Sequence, residues 1–329
     1  MPQRSLPSPF LPRFHPILCW LYTSLCYPQS MSDPPAYAAP KTIRVVAPAG
    51  PVAVDDLERG VEILGRRGFT ARISPHAQER HGYLAGADES RLSDLQAALD
   101  DPDVDVVWFA RGGYGTTRLL PLLSREGLAR HPKILAGFSD ATALLAWAQD
   151  VPGVRRLYAP SVQELAREGV CEMDSLWAAL EGRDVQIPAE GNPDEAAGPF
   201  PVAGGCLTLL SVSVGTPWEP DVSGCWLFLE DVGEPLYRID RMMTHLQQAG
   251  WFGRAAGLLL GGFTGMGEGE SPSQAAQRAR QLLGSHKPLL TGLPVGHLKG
   301  KRALPLGCPA TWDGSALIVA GAGTPVPET

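Results

Sequence analysis

From residue 41 onward, short β-branched runs alternate with stretches whose apolar residues recur every three to four positions. TIRVVA at 42–47 reads as a strand ending in the turn Pro48-Ala49-Gly50. Asp55-x-x-Glu58 has the form of a capping box, and Leu57, Val61 and Leu64 then share one helical face. Residues 71–74 read as a second strand and 91–99 as a second helix, with Leu92, Leu95 and Leu99 together. VDVVWF at 104–109 is a third strand, ILAG at 134–137 a fourth, and 141–148 an apolar helix. Ser161-x-x-Glu164 opens another helix. Such alternation predicts a parallel sheet covered on both faces. Ligands then sit beyond the carboxyl ends of the strands, where the turns after Phe109 and Gly137 fall.

The pattern changes at 181–199, a polar stretch rich in Gly, Pro, Asp and Glu that reads as a linker. Beyond it come Gly204-Gly205, an apolar run at 207–214, the strand CWLFL at 225–229 and an amphipathic helix at 235–249. That helix carries Ile239, Met242, Met243 and Leu246 on one face and Gly250 just past its end. Apolar runs at 256–260 and 316–319 add short strands, so the second half reads as a smaller β/α unit. The expected organisation is a leader over 1–40, a first domain over 41–168, a connection over 169–200 and a second domain over 201–329. The leader is Pro-rich, with one short apolar run around 17–26, and reads as disordered or as an over-called start with Met31 as the true one. An export signal is the alternative reading, against which stand Pro7, Pro9, Pro12 and Pro16.

Composition narrows the partners. The chain has 329 residues, 28 Lys and Arg against 35 Asp and Glu, and a net charge of −7. A surface without a basic excess argues against nucleic acid, whose phosphates need cations. The leader's apolar run is too short to span a bilayer, so no membrane partner is expected. Six cysteines without a C-x-x-C pair read as reduced thiols. Seven histidines without H-E-x-x-H give no metal motif, and no cofactor is expected.

The chemistry concentrates in two turns. Gly137-Phe138-Ser139-Asp140-Ala141 lies between a strand and a helix, the context in which a serine hydroxyl is presented above a sheet. It departs from G-x-S-x-G at Ala141, and a serine at such a junction is by pattern alone more often a helix N-cap. Arg111-Gly112-Gly113-Tyr114-Gly115 lets backbone N–H groups approach a ligand, and the absence of G-K-[ST] excludes a phosphate loop. Adjacent parallel strands would bring the N–H groups of Gly113 and Asp140 together as an oxyanion hole. A serine nucleophile also needs a base and a carboxylate to orient it. His297, in a loop after an apolar run, is the candidate base, since His245 lies within the amphipathic helix and the others in polar segments or the leader. Glu230, at the end of CWLFL, is the candidate carboxylate, with Asp231 and Glu234 as alternatives.

These residues resemble the serine LD-carboxypeptidases, or muramoyltetrapeptide carboxypeptidases, which include the microcin-immunity peptidases. The likeness lies in R-G-G-Y-G-x-x-R-L-L at 111–120, G-F-S-D-A-T-A-L at 137–144, G-G-x-L at 204–207 and G-T-P-W at 215–218. It continues in L-E-D-V-G-E-P-x-Y-R-I-D-R-M at 229–242, G-H at 296–297 and L-P-L-G at 304–307. The resemblance implies Ser139 as nucleophile, Glu230 as carboxylate, His297 as base, and Gly113 and Asp140 N–H as oxyanion donors. It implies a class I glutamine amidotransferase-like, flavodoxin-like first domain and a smaller β/α second domain. It further implies a cytoplasmic homodimer acting on small muropeptides in peptidoglycan recycling. Two alternatives within reach of the same fold are a hydrolase detoxifying a peptide–nucleotide antibiotic and a non-catalytic binding protein. One departure is Cys206, where the family has Asn.

Overall fold

The computed structural model describes residues 41–192 and 197–321. The leader read at 1–40, with its two cysteines and Met31, lies outside the described residues.

Five strands, β1 (Thr42–Val46), β2 (Thr70–Ile73), β3 (Val106–Phe109), β4 (Ile134–Gly137) and β5 (Arg155–Tyr158), form a parallel array. Their order is β2-β1-β3-β4-β5, the flavodoxin-like order. Every residue of β3 and β4 is buried, as expected of strands covered on both faces. Around the sheet run α1 (Val54–Arg66), α2 (Asp88–Asp100), α3 (Thr116–Leu119), α4 (Glu126–Arg130) and α5 (Ala141–Trp147). Helix α2 starts at Asp88, three residues before the start expected at 91, with Asp88 and Glu89 in a first turn that favours acids.

The capping box read at Asp55-x-x-Glu58 does not form: α1 begins at Val54 with Ala53 at its cap position, and no side chain caps it. Other expectations change as well. β5 is absent from the sequence reading because Arg155 and Arg156 hide a strand; Arg156 is nonetheless buried, and desolvation pushes its guanidinium down to about 10. The helix expected from Ser161 is a single 3₁₀ turn at Val162–Glu164. Its capping box forms, but the chain then continues in i→i+3 bonds toward Gly169 at φ +68°.

The second half contributes α6 (Met173–Leu180), β6 (Val185–Pro188), β7 (Ala197–Cys206), α7 (Leu207–Ser213), β8 (Trp226–Val232) and α8 (Leu236–Gln248). It continues with α9 (Trp251–Arg254), β9 (Gly257–Thr264), α10 (Pro272–Leu283), β10 (Leu289–Leu290), β11 (Leu304–Leu306), β12 (Pro309–Trp312) and β13 (Ala316–Val319). The stretch read as a connection thus carries α6 and β6, the latter paired with β13. A mixed sheet runs β10-β9-β8-β7-β12-β13-β6, parallel from β10 to β7 and antiparallel beyond.

The two halves are knitted at their junction. β11 crosses back to pair antiparallel with β5, placing Leu304 opposite Tyr158. Just before it, Lys301 is buried with its ammonium 2.7 Å from Glu164 and 4.1 Å from the centre of the Phe138 ring. The loop carrying His297 is therefore anchored on the half that carries Ser139.

Candidate active site

Between the end of β4 at Gly137 and the start of α5 at Ala141 the chain reverses in three residues. Ser139 sits at the apex with φ +59°, the one non-glycine residue at positive φ among the described residues. An L-residue held there costs roughly 1–2 kcal/mol, which a serine serving only as a cap has no reason to bear. The cap position of α5 falls instead on Asp140, and no side chain caps the helix.

The glycine turn after β3 lies directly against this apex. A Cβ on Gly112 would sit 2.8 Å from the Ser139 Cβ and 3.0 Å from its Oγ, so only glycine fits. Gly112 accepts a 3.1 Å bond from the Gly50 N–H, joining the turns after β1 and β3. The strand order reverses between these two strands, the place where open α/β sheets bind ligands. Among the described residues the N–H groups of Gly113 and Asp140 donate to no protein acceptor. Both are free to meet a ligand oxygen. Gly112→Ala is expected to lower turnover about 100-fold, since a displacement near 1 Å at a reacting group has that effect. Circular dichroism should be unchanged, because Gly112 itself has no positive φ to strain.

Glu230 lies inside β8 rather than at its end, because the strand runs on to Val232. Its carboxyl is fully buried and meets a donor from three directions. The His297 Nδ1 lies 2.8 Å from Oε2 and the His297 backbone N–H donates to the same oxygen at 2.9 Å. The Tyr158 hydroxyl donates to Oε1 at 2.5 Å. A carboxylate only accepts, so the imidazole proton sits on Nδ1 and leaves Nε2 as the basic nitrogen. Gly296 permits this contact: it has φ +100°, and a Cβ there would fall 2.2 Å from Glu230 Oε2. The imidazole packs on Phe138, ring centres 4.7 Å apart, which brings it beside the residue preceding Ser139. The serine and histidine side chains share no hydrogen bond among the described residues; such bonds often tighten only when substrate binds.

The alternative carboxylates point elsewhere. Asp231 accepts from the Thr208 N–H and hydroxyl at 2.8 Å each, at the start of α7, and burial pushes its carboxyl upward. Glu234 pairs with Arg238 at 3.2 Å. Cys206, opposite Glu230 in register, directs its Sγ toward Asp231 at 3.6 Å, and burial pushes its thiol well up. It is a poor candidate for a thiolate nucleophile. Beside the Ser139 turn, the Asp140 carboxyl is buried and accepts from the Thr116 N–H at 2.8 Å; desolvation raises its pKa. Among the described residues no cluster of three or more His, Cys, Asp or Glu could hold a metal ion. None of their helices is long and apolar enough to cross a membrane.

Sequence reasoning missed Tyr158. It is 1% exposed, and its hydroxyl accepts from the Ser139 N–H at 3.1 Å while donating to Glu230. Its position at the carboxyl end of a parallel strand next to β4 was the available signal, and the paired arginines before it concealed that strand.

A flavodoxin-like sheet with a serine on a left-handed strand-to-helix turn, beside a buried glutamate paired with a half-buried histidine, defines an α/β enzyme of the hydrolase type. Comparison with known proteins narrows the class. Residues 43–159 match the family model of the LD-carboxypeptidase N-terminal domain and 201–312 that of the C-terminal domain. The chain belongs to the LD-carboxypeptidase family. The murein tetrapeptide carboxypeptidase of Pseudomonas aeruginosa is 33% identical over 298 residues, covering 84% of this chain and 94% of that one. The crystal structure of a muramoyltetrapeptide carboxypeptidase from Oxalobacter formigenes superimposes with a TM-score of 0.74 at 31% identity, over 85% of this chain and 99% of that one. The microcin C7 self-immunity protein of Escherichia coli is 26% identical over 298 residues, covering 79% of this chain and 86% of that one.

Proposed function

We propose that the protein is a serine LD-carboxypeptidase that releases the terminal D-alanine of murein tetrapeptides. The observation that carries this reading is the hydrogen-bonded line from the strained Ser139 turn through Tyr158 to Glu230 and His297. His297 Nε2 takes the Ser139 proton, and the alkoxide attacks the carbonyl of the L-configured residue before D-alanine. The oxyanion is held by the N–H groups of Gly113 and Asp140. Ser139's own N–H is engaged by Tyr158 and is not among the donors. As the tetrahedral adduct collapses, the C–N bond breaks and the imidazolium returns its proton to the departing amine. Water, deprotonated by His297, then attacks the acyl-enzyme and restores Ser139. Glu230 holds the imidazole in its Nδ1–H tautomer and stabilises the imidazolium.

The same reading places the nucleophile on a glutamine amidotransferase-like domain over 41–168 and the Glu and His on a domain over 201–329. It assigns the enzyme to peptidoglycan recycling as a cytoplasmic homodimer. Mass spectrometry of a defined tetrapeptide incubated with the protein tests it: loss of one alanine supports the reading, and an unchanged tetrapeptide opposes it. Kinship with the microcin C7 self-immunity protein supports a second reading, hydrolysis of an aminoacyl-sulfamoyl adenylate. Turnover of that compound in place of the tetrapeptide would favour it.

A further inference from the structure

Tyr158 is held from both sides. In β5 it pairs with Gly137 of β4 and with Leu304 of β11, one strand leading to Ser139 and the other following His297. Its ring meets Phe138 and Phe228 edge-on, at 6.3 and 5.3 Å between centres. The hydroxyl therefore has little freedom to move. Its single proton also has a determined direction, because the Ser139 N–H only donates and the phenol oxygen must accept it. The phenol proton goes to Glu230. Burial, followed by the charge of Glu230, pushes the phenol pKa well above its ordinary value, so this donor stays protonated.

We propose that Tyr158 is a positioning residue that clamps the left-handed Ser139 turn and sets the basicity of the Glu230–His297 pair. The proposal rests on the serine mechanism above. A hydrogen bond donated to Oε1 draws carboxylate charge away from Oε2, where His297 is bound. Without it the carboxylate attracts the imidazolium more strongly, and His297 keeps its proton to higher pH. The acidic limb of the kcat/KM profile then moves upward. Loss of the hydroxyl also leaves the Ser139 N–H without its acceptor, so the turn relaxes and kcat falls. The other ionisable groups facing this pair are Cys206 from β7, Asp231 next along β8, and Lys301 behind Phe138 with its partner Glu164. On β9 it is Gly261 that lies against Glu230, where an added Cβ would sit 3.1 Å from the Glu230 Cβ.

The test is Tyr158→Phe, which keeps the ring and removes the hydroxyl, together with site-specific 3-fluorotyrosine at 158, which keeps the shape and donates more strongly. For Tyr158→Phe, kcat on a murein tetrapeptide should fall about 10- to 100-fold with KM nearly unchanged, the signature of misplaced reacting groups. Its acidic limb should move to higher pH, and that of the fluorotyrosine protein to lower pH. A tyrosine that only packs would lower the melting temperature and leave both limbs in place. Unmoved limbs, or limbs moving in the same direction, overturn the proposal. The fluorotyrosine arm decides the matter even if Tyr158→Phe does not fold. Ser139→Ala run alongside separates the two levels: an active Ser139→Ala sinks the serine mechanism, whereas an inactive one beside an unaffected Tyr158→Phe sinks only the role of Tyr158.

Discussion

Replacing Ser139 by alanine is expected to reduce kcat for D-alanine release by about 10⁵- to 10⁶-fold, the scale on which loss of a triad nucleophile acts. The fold should survive. The hydroxyl makes no hydrogen bond among the described residues, and alanine bears the same left-handed backbone that serine already bears. What remains would be the contribution of the oxyanion donors and substrate binding, acting on water as nucleophile. KM should stay within a few-fold of wild type, and thermal unfolding within a few degrees. A Ser139→Ala protein with near-normal turnover would mean that the strained turn serves some other purpose.

Glu230→Gln should rank second, with kcat down roughly 10³- to 10⁴-fold, as when the orienting acid of a triad is neutralised. The amide is nearly isosteric, so the loss comes from hydrogen-bond direction. At Oε2 both the His297 backbone N–H and Nδ1 need an acceptor, and at Oε1 the Tyr158 hydroxyl needs one. Glutamine offers a single oxygen. With it turned to His297, the NH₂ faces a phenol whose oxygen already accepts from Ser139. With it turned to Tyr158, the NH₂ confronts two donors and the imidazole loses its tautomer. Either way a fully buried polar group is unsatisfied, which costs about 1–3 kcal/mol of stability as well. Comparison of kcat with the urea midpoint separates the two effects. A variant with both intact would remove Glu230 from the mechanism.

The central strands were legible because period and burial agree in them: ILAG at β4 and the apolar run ending at Phe109 are hydrophobic on both faces, and their turns carry the glycines. The turn at Gly137–Ala141 was legible as a place, whereas its φ of +59° at Ser139 was not, because Ala141 breaks the G-x-S-x-G pattern and leaves a helix cap equally compatible with the residues. The pairing of Glu230 with His297 spans 67 positions and could not be read from periodicity. Asp231 stayed open as an alternative because neighbouring residues in a strand face opposite sides, and which side meets His297 depends on how the two sheets are joined. That junction is made by β11, three residues long, and by Lys301, a charged residue whose burial rests on Glu164 137 positions away. Tyr158 stayed hidden for a related reason: its neighbours Arg155 and Arg156 look like solvent-facing residues, yet both lie in a strand of the sheet.

The most direct test of the account is one reaction followed by mass spectrometry: wild-type protein with a murein tetrapeptide ending in D-alanine, and with its diastereomer ending in L-alanine. The first should lose alanine and leave the tripeptide, the second should be untouched, and Ser139→Ala should leave both intact. An unchanged D-terminal tetrapeptide, or equal loss from the two diastereomers, would contradict it.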